Sequence, residues 1–216
     1  MVPSHPNDPA SKESRVEVKV KPRDATRKFW RVVRADVYRL SGRSTYREVF
    51  RQLMVGETFP YVFWMRACSH LSRSTGPSRL LLLPARLVLR RFRYRMGINL
   101  PWQTSVGPGI FLGHAGGIVV NAGAVIGSNC NISHNVTIGS NKGRRAGVPQ
   151  IGDNVYIGPG AVVAGAITVG TGSAIGANSV VLDDVPAGVT VAGAPARVVS
   201  TKGAIAWVNL TDHGLD

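Results

Sequence analysis

A six-residue repeat runs from Thr104 to about Val181 and constrains the fold more than any other feature of the sequence. Nearly every unit begins with a small or aliphatic residue. A glycine-rich basic segment, residues 142–148, interrupts the series, and two extra glycines follow its second unit. The third position is aliphatic in all twelve units: Val106, Leu112, Val120, Ile126, Ile132, Ile138, Ile151, Ile157, Val163, Val169, Ile175 and Val181.

This spacing excludes amphipathic helices, which need apolar residues at intervals of three and four. A fixed short period with Gly and Asn between the apolar positions is typical of a solenoid with one continuous apolar column. We expect a short strand and a corner in each unit, with three units completing a triangular coil. Successive coils should pair as parallel strands about 4.8 Å apart.

The net charge of +14 lies entirely in the first half of the chain. Residues 1–100 contain 21 Lys or Arg against 7 Asp or Glu, and residues 101–216 contain 5 against 5. A basic half is compatible with a solvated cationic face, or with an acidic partner such as a glycan or a membrane surface. The sequence has neither an aromatic and basic RNA motif nor zinc-finger spacing, so we predict no nucleic-acid partner.

Helical patterns precede the repeat. Residues 1–25 lack the apolar core of a signal peptide and predict a disordered basic tail. Capping and breaking residues then delimit four helical segments: Thr26 to Leu40 with Gly42 as a stop, a helix between the Thr45–Glu48 capping box and Gly56, a helix from Pro60 towards Leu71, and residues 79–96 with Pro84 as a kink or a false start.

The predicted fold is mainly β, with a small N-terminal α-helical domain. We expect a helical cap at residues 26–97, the coil at 98–200, and a C-terminal tail at 201–216 with a short helix or none. Cys130 opens a unit and should point inward, and Cys68 lies in a helical segment, which favours a reduced, cytoplasmic protein. The apolar cluster at residues 80–89 is too short to span a bilayer.

Two histidines stand out because of their position in the repeat. His114 and His134 are each the fifth residue of their unit, and three units separate them. They should therefore stack on one edge of the prism in adjacent coils, at one to two strand spacings. The alternative is that both histidines are exposed surface residues without a functional role. Gly116 and Gly117 favour a functional role, because residues without side chains let the backbone or a ligand approach closely.

The segment GIFLGHAGGIVVN, with VTIG, a basic loop, IGDNVYIGPGAVVAG and IGANSVVLDDVPAG, resembles the serine O-acetyltransferase branch of the hexapeptide-repeat transferases. The resemblance extends from about Arg34 to Val199. It implies a left-handed parallel β-helix, acetyl-CoA as acyl donor and no metal. It also implies that His114 acts as general base on the acceptor hydroxyl, which attacks the thioester directly.

Three positions depart from the pattern of this branch. Asn99 stands where an aspartate supports the histidine, Gly113 where a second aspartate precedes it, and Val148 where a second histidine precedes a proline. These departures favour a saccharide or another hydroxyl compound over serine as acceptor. They also suggest that His134 replaces the missing histidine or contacts the acceptor.

The resemblance further implies a homotrimer with coenzyme A in a groove between subunits. The matching groove positions are Gly139, Ser140, Gly158, Pro159, Gly176 and Ala177, although a coil needs small residues at corners in any case. Arg197 or Lys202 could meet the CoA phosphates. Arg144 and Arg145 could meet the phosphates or the acceptor, or form a plain solvated turn.

The sequence is compatible with three function classes. The first is O-acetyl transfer to a small molecule or sugar, with serine acetylation for cysteine synthesis as the alternative within this class. The second is a zinc-dependent hydratase on the same coil, which shares three histidines between subunits. The sequence offers only two candidate histidines for it. The third is an inactive scaffold, against which the paired histidines argue.

Overall fold

The computed structural model describes residues 22–142 and 145–214, and shows a group of helices followed by a three-sided coil of strands. Most of the predicted N-terminal tail thus lies outside the described residues. The helices are α1 (Pro22–Ser41), α2 (Tyr46–Val55), α3 (Phe59–Arg73) and α4 (Leu82–Met96), with a short 3-10 helix at Pro77–Leu81 before α4.

Local sequence signals explain several helix ends. The Thr45 hydroxyl accepts the backbone N–H of Glu48 at 3.2 Å and caps α2. The Glu48 carboxylate turns instead to the Arg51 guanidinium at 2.6 Å, so only half of the predicted capping box forms. Gly42 ends α1 in the left-handed conformation, with φ +67°.

Two predicted helix starts differ from the structure, and a proline lies in the first turn of each of these helices. α1 begins at Pro22, four residues before Thr26. Pro84 lies in the first turn of α4 and neither delays nor divides that helix. Proline is tolerated in a first turn because the N–H that it lacks has no partner within the helix there.

Fifteen short strands build the coil within the described residues. They are β1 (Ile98–Asn99), β2 (Ser105–Val106), β3 (Phe111–Leu112), β4 (Ile118–Val120), β5 (Val125–Ile126), β6 (Asn131–Ile132), β7 (Thr137–Gly139), β8 (Gln150–Ile151), β9 (Tyr156–Ile157), β10 (Val162–Ala164), β11 (Thr168–Val169), β12 (Ala174–Ile175), β13 (Val180–Val181), β14 (Thr190–Gly193) and β15 (Ala196–Ser200). Sheet A holds β1, β4, β7, β10 and β13; sheet B holds β2, β5, β8 and β11; sheet C holds β3, β6, β9, β12, β14 and β15.

The strand register confirms the predicted coil. Every third strand up to β13 returns to the same sheet, and the pairing is parallel except between β14 and β15. In sheet C, for example, Leu112 pairs with Ile132, and Ile132 with Ile157. Eleven of the twelve third-position aliphatics are buried, and Val106 in the first coil is half-buried. Burial of each such side chain contributes about 1.5–3 kcal/mol to stability.

Asparagine explains how several corners turn without glycine. Asn129, Asn135, Asn154 and Asn178 each end a repeat unit and have φ between 54° and 58°. Asparagine tolerates this left-handed conformation better than most residues with a side chain. The sixth position of the unit therefore has to suit the backbone conformation of the corner, whereas the third position has to suit the core.

A buried ion pair joins the helices to the first coil. The Asp36 carboxylate of α1 meets the Arg66 guanidinium of α3 at 2.8 Å, and both side chains are nearly inaccessible. Asp36 also accepts the backbone N–H groups of Gly109 and Ile110. Arg66 donates to the carbonyls of residues 106 and 107, both at 2.6 Å. Burial raises the pKa of Asp36, while Arg66 and the two backbone N–H groups oppose that change.

The C-terminal segment, residues 201–214, returns along the outside of sheet C and contains turns but no helix. Trp207 stacks on Tyr156 of β9 with ring centroids 4.9 Å apart. Its carbonyl accepts a hydrogen bond from the Asn131 amide at 2.8 Å. His213 reaches the Tyr38 ring of α1 at 5.8 Å. The segment thus covers part of a face that the repeat alone would leave exposed.

Candidate active site

One corner of the coil, between sheets C and A, carries both singled-out histidines. His114 follows β3 and His134 follows β6, each two residues beyond the paired residues Leu112 and Ile132. Their ring centroids are 6.0 Å apart with an interplanar angle of 64°. This separation confirms the stacking predicted from the repeat. The His114 side chain is 69% exposed, and His134 is half-buried.

A carboxylate absent from the sequence-based site also lies at this corner. Glu57, in the turn between α2 and α3, places Oε2 at 3.6 Å from His114 Nδ1. Its Oε1 accepts the backbone N–H of Ala115 at 3.1 Å. No repeat position relates Glu57 to His114, because the two belong to different parts of the fold. The only sequence feature that marks Glu57 is its position in the segment GET, just before the start of α3.

The two inserted glycines let the helical region approach this corner. The N–H of Gly116 donates to the Met96 carbonyl at the end of α4, at 2.8 Å. A Cβ on Gly117 would lie 2.0 Å from the Asn135 side chain, and its φ is +66°. The predicted close approach is therefore made by backbone from α4, which fixes the segment that carries His114.

The two positions at which the resemblance implied a carboxylate, Asn99 and Gly113, lie beside this corner. Asn99 is in β1 of sheet A and pairs in register with Val119. Gly113 directly precedes His114, and its N–H donates to the Ile132 carbonyl at 3.0 Å. A Cβ on Gly113 would meet only the Phe111 ring, at 3.5 Å. Among the described residues, Glu57 supplies the carboxylate that contacts His114.

Four of the six predicted groove positions stack on the same corner. The register of β9 and β12 places Gly158 and Pro159 above Ser133 and His134, and Gly176 and Ala177 above those. Gly139 instead ends β7, and Ser140 follows it, at the corner between sheets A and B. A Cβ on Gly158 would lie 2.8 Å from the Ile175 carbonyl oxygen. The close stacking of the coils therefore requires glycine at this position, whether or not a ligand binds there.

The two predicted phosphate contacts beyond the coil do not converge within one chain. Arg197 lines a shallow depression of about 170 Å³ with Leu182, Asp184 and Val198. Lys202 lines another of about 380 Å³ on a different side, with Gly172 and Gly188. Arg197 and Lys202 therefore line different depressions of one subunit.

The basic loop folds back on the later coils. Arg145 pairs with Asp184 at 2.8 Å and lies 3.5 Å from Asp183, which raises its pKa. Its carbonyl accepts the N–H of Ala166 at 3.0 Å. Arg145 is therefore held at the corner between sheets A and B, apart from the histidines. Arg144 lies outside the described residues.

Both cysteines are free and buried. Burial raises the pKa of Cys68 to about 11 and that of Cys130 to about 12. Within residues 22–142 and 145–214, no three His, Cys, Asp or Glu side chains form a group that could hold a metal ion. Across the same ranges, no helix has the length and apolar character needed to cross a membrane.

Comparison with known proteins agrees with this fold. A model of the bacterial transferase hexapeptide (six repeats) matches residues 149–183. The serine acetyltransferase of Bacillus subtilis is 33% identical over 178 residues, covering 81% of this chain and 79% of the relative. Mitochondrial serine acetyltransferase 3 of Arabidopsis thaliana is 43% identical over 120 residues, covering 55% of this chain.

Among solved structures, serine acetyltransferase from Brucella abortus in complex with coenzyme A superposes with a TM-score of 0.69 and 32% identity. The match covers 83% of this chain and 71% of that one. The fold is therefore a left-handed parallel β-helix with a small helical domain, and the protein is a hexapeptide-repeat acyltransferase of the O-acetyltransferase class. Within that class, the chain belongs to the serine acetyltransferase family. It spans only 30% of the length of the Arabidopsis relative.

Proposed function

We propose that this protein transfers the acetyl group of acetyl-CoA to the hydroxyl of a small molecule, with His114 as general base. The observation that carries the proposal is the corner where His114 meets Glu57 at 3.6 Å and His134 at a ring separation of 6.0 Å. This corner lies in a chain whose relatives are serine acetyltransferases, and the Brucella relative binds coenzyme A.

The chemistry requires a neutral imidazole. His114 takes the hydroxyl proton as the acceptor oxygen attacks the thioester carbonyl carbon. The new C–O bond forms, the C–S bond breaks, and the CoA thiolate leaves and takes up a proton. Glu57 faces Nδ1 and favours the tautomer with its proton there, which leaves Nε2 as the base. At 3.6 Å the contact is electrostatic rather than a hydrogen bond.

His134 has a supporting role in this proposal. Its ring lies against that of His114, in the next coil along the same corner. From there it can contact the acceptor or orient His114. It would thereby supply the imidazole that Val148 does not provide.

Coenzyme A is assigned to the groove along the later coils, between subunits of a homotrimer. Gly158, Pro159, Gly176 and Ala177 continue the histidine corner, whereas Gly139 and Ser140 lie on another corner. One ligand would meet both sets only if a neighbouring subunit supplied the second corner. This separation supports assembly around a threefold axis.

L-Serine is the acceptor that the names of the relatives support, and it replaces the saccharide favoured by the sequence as our first candidate. A second candidate, another hydroxyl compound such as a sugar, rests on Asn99, Gly113 and Val148. Those residues leave no anionic or imidazole group at three positions where the family has one. Glu57 compensates in part, because it brings one carboxylate to the corner.

The decisive experiment measures thiol release from acetyl-CoA with L-serine and, separately, with a panel of sugars and hydroxylated amino acids. Saturable release with L-serine, together with O-acetylserine in the mass spectrum, supports the first candidate. Release with a sugar alone would support the second. Acetyl-CoA binding without turnover on any hydroxyl compound would contradict the proposed function.

The division into a cap at 26–97 and an acyltransferase domain at 98–200 also stays a proposal, supported by the change from helices to strands at Ile98. A cytoplasmic location is likewise proposed. The two unpaired buried thiols support it, since they fit a reducing compartment.

A further inference from the structure

The outward face of α4 is apolar along its centre. Leu83, Leu87 and Tyr94 fall on one line of the helix, because they are separated by four and seven residues. They are 66%, 59% and 71% exposed. Leu80 in the preceding 3-10 helix extends the line and is 79% exposed. The opposite face of α4 packs on α3, so this helix has two apolar faces and only one of them is covered.

Arginines border this line on both sides. Helical geometry places Arg86, Arg90 and Arg93 along one edge and Arg91 and Arg95 along the other, and all five are exposed. The sequence contains no Asp or Glu between Glu57 and Asp153, so neither α4 nor its neighbours in sequence supply a carboxylate. We call this surface, with Leu80, Leu83, Leu87 and Tyr94 at its centre, the α4 face.

Another exposed apolar line, on α2, lacks this charge pattern. Phe50 and Met54 are 67% and 70% exposed. The Arg51 guanidinium beside them is paired with Glu48 at 2.6 Å. Arg47 is the other exposed arginine of α2, so that line has one cation beside it without a carboxylate partner among the described residues. The five exposed arginines of α4 form a denser positive border, and it lies on both sides of the apolar centre.

A symmetric contact between two copies does not suit the α4 face. A twofold interface would place the five arginines of one chain against the same five of the other. The required partner is apolar in its interior and anionic at its surface. A bilayer of anionic phospholipids has both properties, and arginines beside an apolar stripe can reach phosphates while their stems stay in apolar surroundings.

We propose that the α4 face binds the surface of an anionic phospholipid bilayer. The leucines and Tyr94 enter the boundary between headgroups and acyl chains, and the arginines contact lipid phosphates. The helix has 15 residues and is about 22 Å long, so it would lie along the surface. The proposal rests on the helix alone and does not depend on the proposed acetyl transfer.

Co-sedimentation of the full chain with vesicles tests this proposal. We expect binding to vesicles of phosphatidylcholine with phosphatidylglycerol, little binding to phosphatidylcholine alone, and a loss of binding as salt is raised. The variant R90Q/R91Q should weaken the vesicle partition by about fivefold for each arginine removed. The variant L83Q/L87Q should weaken it at least tenfold, since both side chains are then polar.

Matched controls come from the neighbouring helices. The variant F50Q/M54Q removes two exposed apolar side chains from α2, and R27Q/R31Q removes two exposed arginines from α1. Both should keep nearly wild-type partition. Circular dichroism and thermal unfolding should match wild type for all four variants, because each replaces exposed side chains only.

Two results would overturn the proposal. One is an absence of sedimentation of the wild-type chain with anionic vesicles at low salt. In that case a change in solution mass of L83Q/L87Q by light scattering would assign the α4 face to a second copy. The other is an equal loss of vesicle partition in the control variants. That result would show that binding depends on the overall surface charge and apolar exposure of the protein and not on the α4 face.

Discussion

His114 and His134 face each other across one coil step, with ring centroids 6.0 Å apart on the corner between sheets C and A. The contact follows from strand register, because Leu112 pairs with Ile132 and each histidine lies two residues further on. Glu57 approaches the first histidine from the helical region. Two imidazoles and one carboxylate thus meet where the chain otherwise presents small residues.

The contact predicts a measurable role for His134. Replacement by Ala should lower kcat for acetyl transfer by about 10–100-fold, since a misplaced His114 or acceptor loses much of the benefit of orientation. The KM for acetyl-CoA should change little. Steady-state kinetics of His134→Ala and His134→Gln would measure this, and wild-type kcat in both would reduce His134 to surface decoration.

Glu57 provides a second prediction. Glu57→Gln keeps a hydrogen-bond acceptor for the Ala115 N–H but removes the negative charge facing His114 Nδ1. We expect kcat to fall about tenfold with little change in KM for acetyl-CoA. Glu57→Asp retains the charge and serves as the control, with more activity than Glu57→Gln. Equal kinetics in wild type and Glu57→Gln would leave Glu57 with a structural role only.

The ion pair between Asp36 and Arg66 should dominate attachment of the helices to the coil. Arg66→Met leaves a buried carboxylate without its cation and should destabilise the protein by about 3–5 kcal/mol. Urea unfolding would show this as a lower midpoint. The double variant D36L/R66M should lose less than the sum of the two single variants, because neither charge is then left alone. Strict additivity would show that the pair is not coupled.

The buried thiols give a chemical prediction. At pH 8, a pKa of about 12 leaves only about one Cys130 in ten thousand as the reactive thiolate. Both cysteines should therefore react with a disulfide reagent in guanidinium but hardly at all in the native state. Rapid labelling of the native protein would show that Cys68 or Cys130 is accessible. Slow labelling also keeps the background low in assays that detect released CoA thiol.

The sequence was informative wherever the repeat set the geometry. Third positions such as Ile132 and Ile157 could be assigned to the core, and His114 could be placed beside His134 by counting units. These predictions needed only a count of whole units, with the two extra glycines and residues 142–148 left out of the count.

Contacts between distant parts of the chain were not predictable in this way. Glu57 reaches His114 through the packing of the helices on the coil, and Arg145 pairs with Asp184 through a loop that departs from the repeat. The path of residues 201–214 depends on side chains such as Trp207 finding Tyr156. No local pattern encodes those distances.

The central claim is that His114 is the base for acetyl transfer, and the comparison of wild type with His114→Ala tests it most directly. Thiol release from acetyl-CoA would be followed with L-serine and with any acceptor found active, alongside calorimetric binding of CoA. We predict that His114→Ala keeps wild-type CoA affinity and thermal stability while kcat falls by about 10²–10⁴. A folded His114→Ala variant that binds CoA and turns over at the wild-type rate would contradict the account.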